Sequence, residues 1–428
     1  MALKIERFVS VGKGNGLRAV HKIKAGELLY RASPLACCVS KKHLATACHN
    51  CFTRAESLLR CSRCKTARYC NATCQKEAWS KHKGECRRLK NLHPRIPPDS
   101  VCLAARILSS MLSISHRASE ELYTLQEHQS HLTDMPEEKQ MGLMQLCSAL
   151  QLFIQANDQS ADPFPAPDLD LLNLLGQVTC NCFTISDGEL QEVGVGLYPS
   201  MSLLNHDCQP NCVMMFEGKT LYLRAITDIQ PQEELTISYT DAMAPSVERR
   251  SQLEEQYHFH CQCQRCSTAD KDADMLAGAE EVWGKLKEAL PSLERLQLDQ
   301  KWTELLSAGQ ALLEGHAGAV PDTNVYLLQL LDLLLDACIS LGQYDTALEF
   351  GTRTLQPYRL YYTDPHPACG IQLMRVGKLQ HLLGRVEEAS ESFRQAYDIL
   401  KVTHGTEHTL TNELQEKLLE CQADLGRD

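Results

Sequence analysis

With 428 residues and 43% hydrophobic content, the chain is long enough for two or three globular domains, and its composition excludes a disordered protein. Its first residues, MALKIERF, lack the apolar core of a signal peptide, and its most apolar run, VYLLQLLDLLLDACISL, is interrupted by Asp332 and Asp336. We therefore expect neither a secretory signal nor a membrane span.

The net charge of −11 is spread unevenly along the chain. Residues 41–90 carry 13 Lys and Arg against three Glu, a net charge of +10, which leaves −21 for the remainder. This pattern favours a local surface for acidic partners, and a solvated face of Lys and Arg is the alternative explanation. The 21 cysteines, several at CxxC spacing, indicate metal ligands in a reducing compartment rather than disulfides.

Strands and turns are predicted for residues 1–40, from the segments IERFVSV, GKGNG and GELLYRASPLACCV. A cysteine-rich basic segment follows, and the Pro-rich stretch HPRIPPDS closes it. Helical periodicity extends from Asp99 to about residue 178, with apolar residues at steps of three and four in the stretch 143–154. The pattern then returns to strands, because KTLYLRAI alternates apolar and polar side chains.

Helices are predicted throughout the chain after about residue 275, and they contain an internal repeat. The segments LGQYDTALEF and LGRVEEASESF begin 42 residues apart, as do His366 and His408. Helix pairs at a fixed period are typical of a tetratricopeptide-like (TPR-like) solenoid, and a plain helical bundle with coincidental similarity is the alternative.

The strongest chemical signal lies at residues 48–86, where eight metal-ligating side chains occur in four pairs. One pair supplies only half of a tetrahedral shell, so four pairs fit two closed structural zinc sites, and the spacing favours alternation between the pairs. A segment of about 40 residues has too little core to fold alone, and bound zinc supplies that stability. The first predicted site comprises Cys48, Cys51, Cys70 and Cys74, and the second comprises Cys61, Cys64, His82 and Cys86.

A second cysteine cluster, CQCQRC, supplies the candidate ligands Cys261, Cys263 and Cys266, and a closed shell needs a fourth. We assign Cys208, in the polar stretch NHDCQPNC, as that ligand. A third zinc would then hold this stretch against the segment near residue 260. A surface turn with an unpaired thiol is the alternative for Cys208.

The glycine-rich turn GKGNG does not match the GxGxxG pattern of dinucleotide-binding proteins. The sequence after it favours a strand, whereas a dinucleotide site needs the N-terminus of a helix there. Glycine still permits a close approach of the backbone to some other ligand.

Taken in order, four features resemble the motifs of SET-domain protein lysine methyltransferases: the GxG turn, NHxxxPN at residues 205–211, EELTISY ending at Tyr239, and the CxC…C cluster. The eight-ligand module inserted between the first two resembles a MYND zinc finger. The combination, with a helical C-terminal region, is similar to the SMYD family across essentially the whole chain. One departure is Gln232, where the family usually has Gly, at what we interpret as a turn position.

The resemblance implies an α+β, multidomain fold: a β-rich SET fold with an inserted MYND zinc module and a helical insert, followed by an α-helical, TPR-like C-terminal domain. The predicted domains are 1–44 (SET N-terminal part), 45–93 (MYND zinc finger), 94–179 (helical SET insert), 180–240 (SET core), 241–270 (post-SET zinc region) and 271–428 (TPR-like C-terminal domain).

The same resemblance implies S-adenosylmethionine as methyl donor, with three Zn²⁺ ions as scaffold. Asn205 and His206 offer side-chain and backbone partners to this cofactor. The backbone at Gly14 and Asn15 can approach it closely, and Lys13 can face its carboxylate. By the same correspondence the cofactor pocket also includes Tyr123, His131, Asn181, Phe259 and Tyr239. For Tyr123 and Phe259 a purely structural role in the core is the alternative.

Methyl transfer to lysine is an in-line displacement, so the attacking amine must be neutral. A free lysine with a pKa of about 10.4 is deprotonated about once in 2,500 molecules at pH 7, and an apolar channel and the sulfonium charge both disfavour its ammonium form. Tyr239 is the predicted catalytic residue, because its hydroxyl can orient the amine toward the methyl group. Phe183 and Tyr257 are the predicted walls of the lysine channel.

We therefore predict a protein-lysine N-methyltransferase that acts on histone or non-histone proteins. The alternative is a non-catalytic adaptor that binds Pro-rich peptides or DNA, and the presence of Asn205, His206 and Tyr239 argues against it. The expected partners are protein substrates and, at the MYND module, either Pro-rich peptides or DNA bound to its basic face, without a membrane. We expect a monomer in the cytoplasm and nucleus.

Overall fold

A computed structural model describes residues 4–111, 120–155, 170–315 and 318–426. Within these residues, groups of strands and groups of helices follow one another up to Ile237, and every later element is a helix. The predicted α+β fold with a helical C-terminal region is therefore confirmed. None of the described helices is long and apolar enough to cross a membrane.

The strands are β1 (Ile5–Ser10), β2 (Gly14–Ala19), β3 (Leu28–Ala32), β4 (Ala36–Val39), β5 (Leu59–Arg60), β6 (Arg68–Tyr69), β7 (Cys182–Ser186), β8 (Glu192–Leu197), β9 (Asn205–His206), β10 (Cys212–Glu217), β11 (Thr220–Ala225) and β12 (Glu234–Ile237). The α-helices are α1 (Ala72–Leu92), α2 (Asp99–Met111), α3 (Glu137–Gln155), α4 (Leu171–Asn181), α5 (Ser246–Tyr257), α6 (Gln264–Ser267), α7 (Asp272–Met275), α8 (Glu280–Leu298), α9 (Trp302–Gly315), α10 (Val325–Ser340), α11 (Tyr344–Tyr361), α12 (Pro367–Leu382), α13 (Val386–Thr403) and α14 (Thr409–Leu425).

The glycine-rich turn joins β1 and β2 in an antiparallel hairpin, in register from Ile5 opposite Ala19 to Ser10 opposite Gly14. Gly12 and Gly14 have φ values of +75° and +81°, a left-handed conformation that glycine adopts without steric cost. A strand follows this turn, as the sequence predicts, so the hairpin presents the turn backbone at one end of the sheet.

The short strand β12 lies between β2 and β9 in a sheet with the order β1-β2-β12-β9. It pairs antiparallel with β2 and parallel with β9, which places Thr236 opposite Asn205 and Ile237 opposite His206. Three segments that are distant in sequence therefore meet in this sheet: the glycine turn, the stretch NHDCQPNC and the residues that lead to Tyr239.

A second sheet has the order β10-β11-β3 and confirms the alternation predicted for KTLYLRAI. Leu221, Leu223 and Ala225 of β11 are fully buried, and the polar residues between them are partly exposed. In the turn before β12, Gln232 has a φ of +70°, which costs a side chain about 1 kcal/mol and which glycine adopts freely. The turn interpretation of this position is therefore confirmed.

The cysteine-rich module shares its core with the neighbouring helices and sheet. Helix α2 packs against β4 and β8 of a third sheet, whose order is β4-β8-β7. One hydrophobic cluster contains Cys61 and Cys86 of the module, Leu103 and Ile107 of α2, and Leu197 of β8. The module is thus packed into the rest of the fold rather than attached to it by a linker alone.

The C-terminal helices repeat with the period that the sequence indicates. Helices α9, α11 and α13 begin 42 residues apart, and so do α10, α12 and α14. Each helix of the second series begins after an N-cap side chain that accepts a backbone N–H bond, from Asn324, His366 and His408 in turn. The repeat unit is therefore a pair of helices with a fixed capping position.

Asn324→Ala is expected to lower the free energy of unfolding of the helical region by about 1–2 kcal/mol. The Asn324 side chain is fully buried, caps α10 by accepting from the N–H of Tyr326 at 3.0 Å, and donates to the Ala277 carbonyl at 2.9 Å. Thermal denaturation followed by calorimetry measures the effect. Asn324→Ser keeps a capping oxygen and should lose less stability; equal stability of Asn324→Ala and wild type would contradict the prediction.

Candidate active site and zinc clusters

A cavity of about 880 Å³ opens where the glycine turn, the end of β12 and the segment after α5 converge. The structure brings all ten residues that were assigned to the cofactor, together with Tyr257, onto the wall of this cavity. They are Lys13, Gly14, Asn15, Tyr123, His131, Asn181, Asn205, His206, Tyr239, Phe259 and Tyr257.

Phe183, predicted as a channel wall, is not among the residues that line this cavity. It lies on β7, one residue beyond Cys182, and its ring packs edge-on against Tyr198 with 5.8 Å between ring centroids. Asn181, at the end of α4, lines the cavity, and the residues of β7 that follow it do not. Tyr257 and Phe259 are among the aromatic residues that line the cavity.

Tyr239 follows β12 and is fixed by two hydrogen bonds. Its backbone N–H donates to His206 Nδ1 at 3.0 Å, and its hydroxyl donates to the Leu204 carbonyl. Its ring centroid lies 4.7 Å from that of Tyr257 and 6.3 Å from that of Phe259. Burial raises the pKa of Tyr239, so the hydroxyl stays protonated at neutral pH.

His206 links Tyr239 to the third cysteine cluster. Its Nδ1 accepts from Tyr239, so Nε2 carries the proton and lies 3.2 Å from Cys208 Sγ. Burial lowers the pKa of His206 to about 4, which keeps the imidazole neutral. Both ring nitrogens of His206 therefore have partners within the protein. Its side chain and its backbone were both predicted to contact a cofactor, and only the backbone remains available.

Asn205 Nδ2 donates to the Asn15 carbonyl at 3.1 Å and to Glu234 Oε1 at 2.7 Å. Glu234 Oε2 lies 3.5 Å from Lys13 Nζ, so this carboxylate balances the lysine charge at the cavity wall. Gly16 packs beside it, and a Cβ at that position would lie 2.8 Å from Glu234 Oε1. The role of Glu234 was missed by sequence reasoning, although it belongs to the quoted motif EELTISY.

The opposite wall comes from the helical insert and the end of α5. The His131 and His258 rings stack with 5.0 Å between centroids, and both residues have positive φ values, +52° and +59°. The Asn181 side chain donates to the Gln129 carbonyl at 3.1 Å and so fixes the adjacent loop. His258 and Gln129 also line the cavity, and no motif in the sequence marked them.

The structure brings the twelve predicted metal ligands together as three clusters of four, in the pairing expected from the sequence, with the ligand atoms of each cluster within 4.8 Å of one another. Tetrahedral zinc with bonds of about 2.3 Å to sulfur places two sulfurs about 3.8 Å apart. The Cys51–Cys70, Cys61–Cys86 and Cys208–Cys266 pairs measure 3.5, 3.8 and 3.5 Å. The donor sets and spacings fit three closed zinc shells.

The second cluster is supported by a buried ion pair. Glu85 Oε2 lies 3.5 Å from His82 Nδ1, and Arg106 of α2 donates to both oxygens of Glu85 at 2.9 and 2.8 Å. Although burial favours the neutral carboxyl, the Arg106 charge holds the pKa of Glu85 well below its usual range. Arg106 also donates to the Cys37 carbonyl of β4. Helix α2 and strand β4 therefore hold Glu85 in place beside the zinc ligand His82.

The chain matches the SET domain family over residues 14–240. It is 47% identical over 423 residues to histone-lysine N-methyltransferase SMYD3 of Homo sapiens, an alignment that covers 99% of each chain. It is 32% identical over 428 residues to N-lysine methyltransferase SMYD2-B of Danio rerio, with 97% of each chain covered. Histone-lysine N-methyltransferase Smyd1 of Mus musculus is 32% identical over 447 residues, or 98% of this chain and 90% of that protein.

Glu85→Gln is expected to lower the zinc affinity of the second cluster by about tenfold, since the substitution removes the charge that orients His82 and pairs with Arg106. Competition with a zinc chelator, with the number of ions released per chain counted, measures the change. Glu77→Gln, on the exposed face of the same helix, is the matched control and should leave that cluster unaffected. Identical zinc retention by both variants and wild type would refute the bracing role.

Proposed function

Because the chain belongs to the SMYD family of SET-domain protein lysine methyltransferases, we propose that its 880 Å³ cavity binds S-adenosylmethionine and that Tyr239 positions the substrate lysine. The activity is that of a protein-lysine N-methyltransferase with this cofactor and three zinc sites. This role of Tyr239 is supported by one observation: its hydroxyl donates a hydrogen bond to the Leu204 carbonyl.

The cavity suits the cofactor in size and in chemistry. Its volume lies in the range of about 300–1,000 Å³ that is common for ligand pockets. Lys13 supplies a positive charge for the cofactor carboxylate, and the Nδ2 bonds of Asn205 leave its Oδ1 as an acceptor for an amino group. Phe259 supplies an apolar face beside them. When bound, the cofactor supplies an electrophilic methyl group on a sulfonium.

Tyr239 orients the amine by accepting a hydrogen bond rather than by donating one. Its only hydroxyl proton points to the Leu204 carbonyl, so the oxygen presents lone pairs toward the cavity. A lysine N–H that donates to this oxygen leaves the nitrogen lone pair free for attack. A hydroxyl that donated to the amine would occupy the lone pair and block the reaction, so the Leu204 bond defines the useful direction.

The surrounding rings favour the neutral amine. Tyr257 lies against Tyr239, and burial raises the pKa of Tyr257 to about 12, so neither phenol is an anion that would stabilise an ammonium ion. The aromatic wall therefore lowers the cost of deprotonating the lysine before transfer.

Tyr239→Phe is expected to reduce the single-turnover methylation rate at least about tenfold, equivalent to about 1.4 kcal/mol of transition-state stabilisation. The ring is retained, so cofactor affinity measured by calorimetry should change much less. Tyr257→Phe removes a neighbouring hydroxyl and is the matched control, expected to keep turnover within about threefold.

Unchanged methylation by Tyr239→Phe would remove this residue from the mechanism. Parallel loss of methylation and cofactor binding would make it a cofactor ligand or a structural residue instead. The same calorimetry tests the adaptor alternative, because a pure adaptor should bind no S-adenosylmethionine.

For substrates, we propose lysines of histone and non-histone proteins in the nucleus and the cytoplasm. The names of the relatives support both classes, since one is a histone-lysine N-methyltransferase and another an N-lysine methyltransferase. Methylation of a peptide array, read by mass spectrometry, tests the proposal and counts the methyl groups added. An array in which no histone peptide is modified would restrict the enzyme to non-histone substrates.

For the cysteine-rich module, we propose Pro-rich peptides as ligands. A groove of about 460 Å³ there is lined by Trp79, Arg63 and Lys76, and the Arg63 guanidinium lies 5.9 Å from the Trp79 ring centroid. Aromatic-lined grooves suit polyproline helices. Pro-rich peptides are titrated at several salt concentrations while tryptophan fluorescence of the protein is followed. Light scattering on the same sample checks the expected monomer. Strong salt-dependent binding of DNA without peptide binding would favour the DNA alternative.

A further inference from the structure

Two arginine side chains are completely enclosed beside the third cysteine cluster. Arg249 of α5 is 0% exposed and Arg265 of α6 is 2% exposed. A buried guanidinium is costly unless an opposite charge and hydrogen-bond acceptors surround it. In the part of the chain that the structure describes, neither guanidinium has a carboxylate partner within ion-pair distance. Their compensating charge must therefore come from another group.

Arg249 contacts a sulfur of the cluster, and both arginines donate to one backbone segment. Arg249 Nη2 donates to Cys266 Sγ at 3.5 Å, and its Nη1 donates to the Ala244 carbonyl. Arg265 Nη2 donates to the Ala242 carbonyl at 2.7 Å. Arg249, through its sulfur contact, and Arg265, as the chain neighbour of Cys266, thus connect the cluster to the Ala242–Ala244 segment that follows Tyr239.

The charge of the third cluster matches the arginines. Four thiolates around one Zn²⁺ carry a net charge of −2, and the two guanidinium groups carry +2. The first cluster has the same four-cysteine shell, but Cys51, Cys70 and Cys74 are partly exposed, so water can screen its charge. The third cluster is buried at Cys208, Cys261 and Cys266, and it needs an internal counterion.

We propose that Arg249 and Arg265 are positioning residues that neutralise the zinc tetrathiolate of the third cluster and tie it to the Ala242–Ala244 segment. The Arg249 N–H bond stabilises the Cys266 thiolate against protonation, and so disfavours loss of the metal. The carbonyl bonds transmit the position of the cluster to the chain that leaves Tyr239. Zinc at this cluster and the geometry of the catalytic segment are therefore linked through two side chains outside the ligand set.

The test compares zinc release from full-length Arg249→Gln, Arg249→Lys and wild type into a chromophoric chelator, with the zinc per chain counted by elemental analysis. We expect Arg249→Gln to release one zinc per chain at least about tenfold faster, with the other two unchanged. Arg249→Lys keeps the positive charge and should restore slow release. The proposal would be overturned if Arg249→Gln released zinc at the wild-type rate, or if it released all three ions equally faster.

Arg250→Gln is the matched control. Arg250 is adjacent in sequence and donates to the carbonyls of Cys261 and Cys266 at 3.2 and 2.8 Å, within the same loop but without a sulfur contact. It should release zinc at the wild-type rate; if it matches Arg249→Gln, the effect is one of loop packing and not of charge. Should Arg249→Gln fail to fold, Arg249→Lys decides alone, because rapid loss of one zinc from that variant would contradict charge compensation.

Discussion

The parallel pairing of β9 with β12 is the constraint on which the site depends. Each strand is very short, and their register places Asn205 and His206 beside the residues that lead to Tyr239. Two residues of ladder supply little stability alone, so the arrangement needs support from outside the sheet. His206 provides it, because one ring nitrogen holds the Tyr239 backbone and the other meets Cys208 of a zinc cluster.

Two carboxylates near the cavity and the second zinc cluster each lie between specific partners. Glu234 lies between Lys13 and Asn205, and Glu85 lies between His82 and Arg106. Such pairs contribute little net stability by comparison with an apolar core, but removing one partner leaves the other uncompensated. The same reasoning explains why polar residues crowd NHDCQPNC: one side of the stretch faces the cavity and the other faces metal ligands.

The zinc clusters and the helical repeat were predicted from the sequence because both follow spacing rules. The zinc ligands fall in pairs, and the helical repeat advances by a constant number of residues, so both are visible without coordinates. Features that depend on where a side chain points in the folded protein could not be predicted from the sequence. The Phe183 ring packs edge-on against Tyr198, and the hydrogen bond of the Tyr239 hydroxyl goes to the backbone carbonyl of Leu204, which no side-chain motif records.

The ion pair between Glu85 and Arg106 has a geometric consequence for any ligand of the cysteine-rich module. Because Arg106 belongs to α2 and also holds the β4 backbone, the module cannot rotate freely against the sheets. A peptide bound to it would be presented at a fixed offset from the catalytic cavity, and the intervening length of chain would select which of its lysines arrives there. With the proposed peptide bound, the module would fix the distance between its ligand and the methylated lysine, and its affinity would raise the effective concentration of lysines at that one spacing.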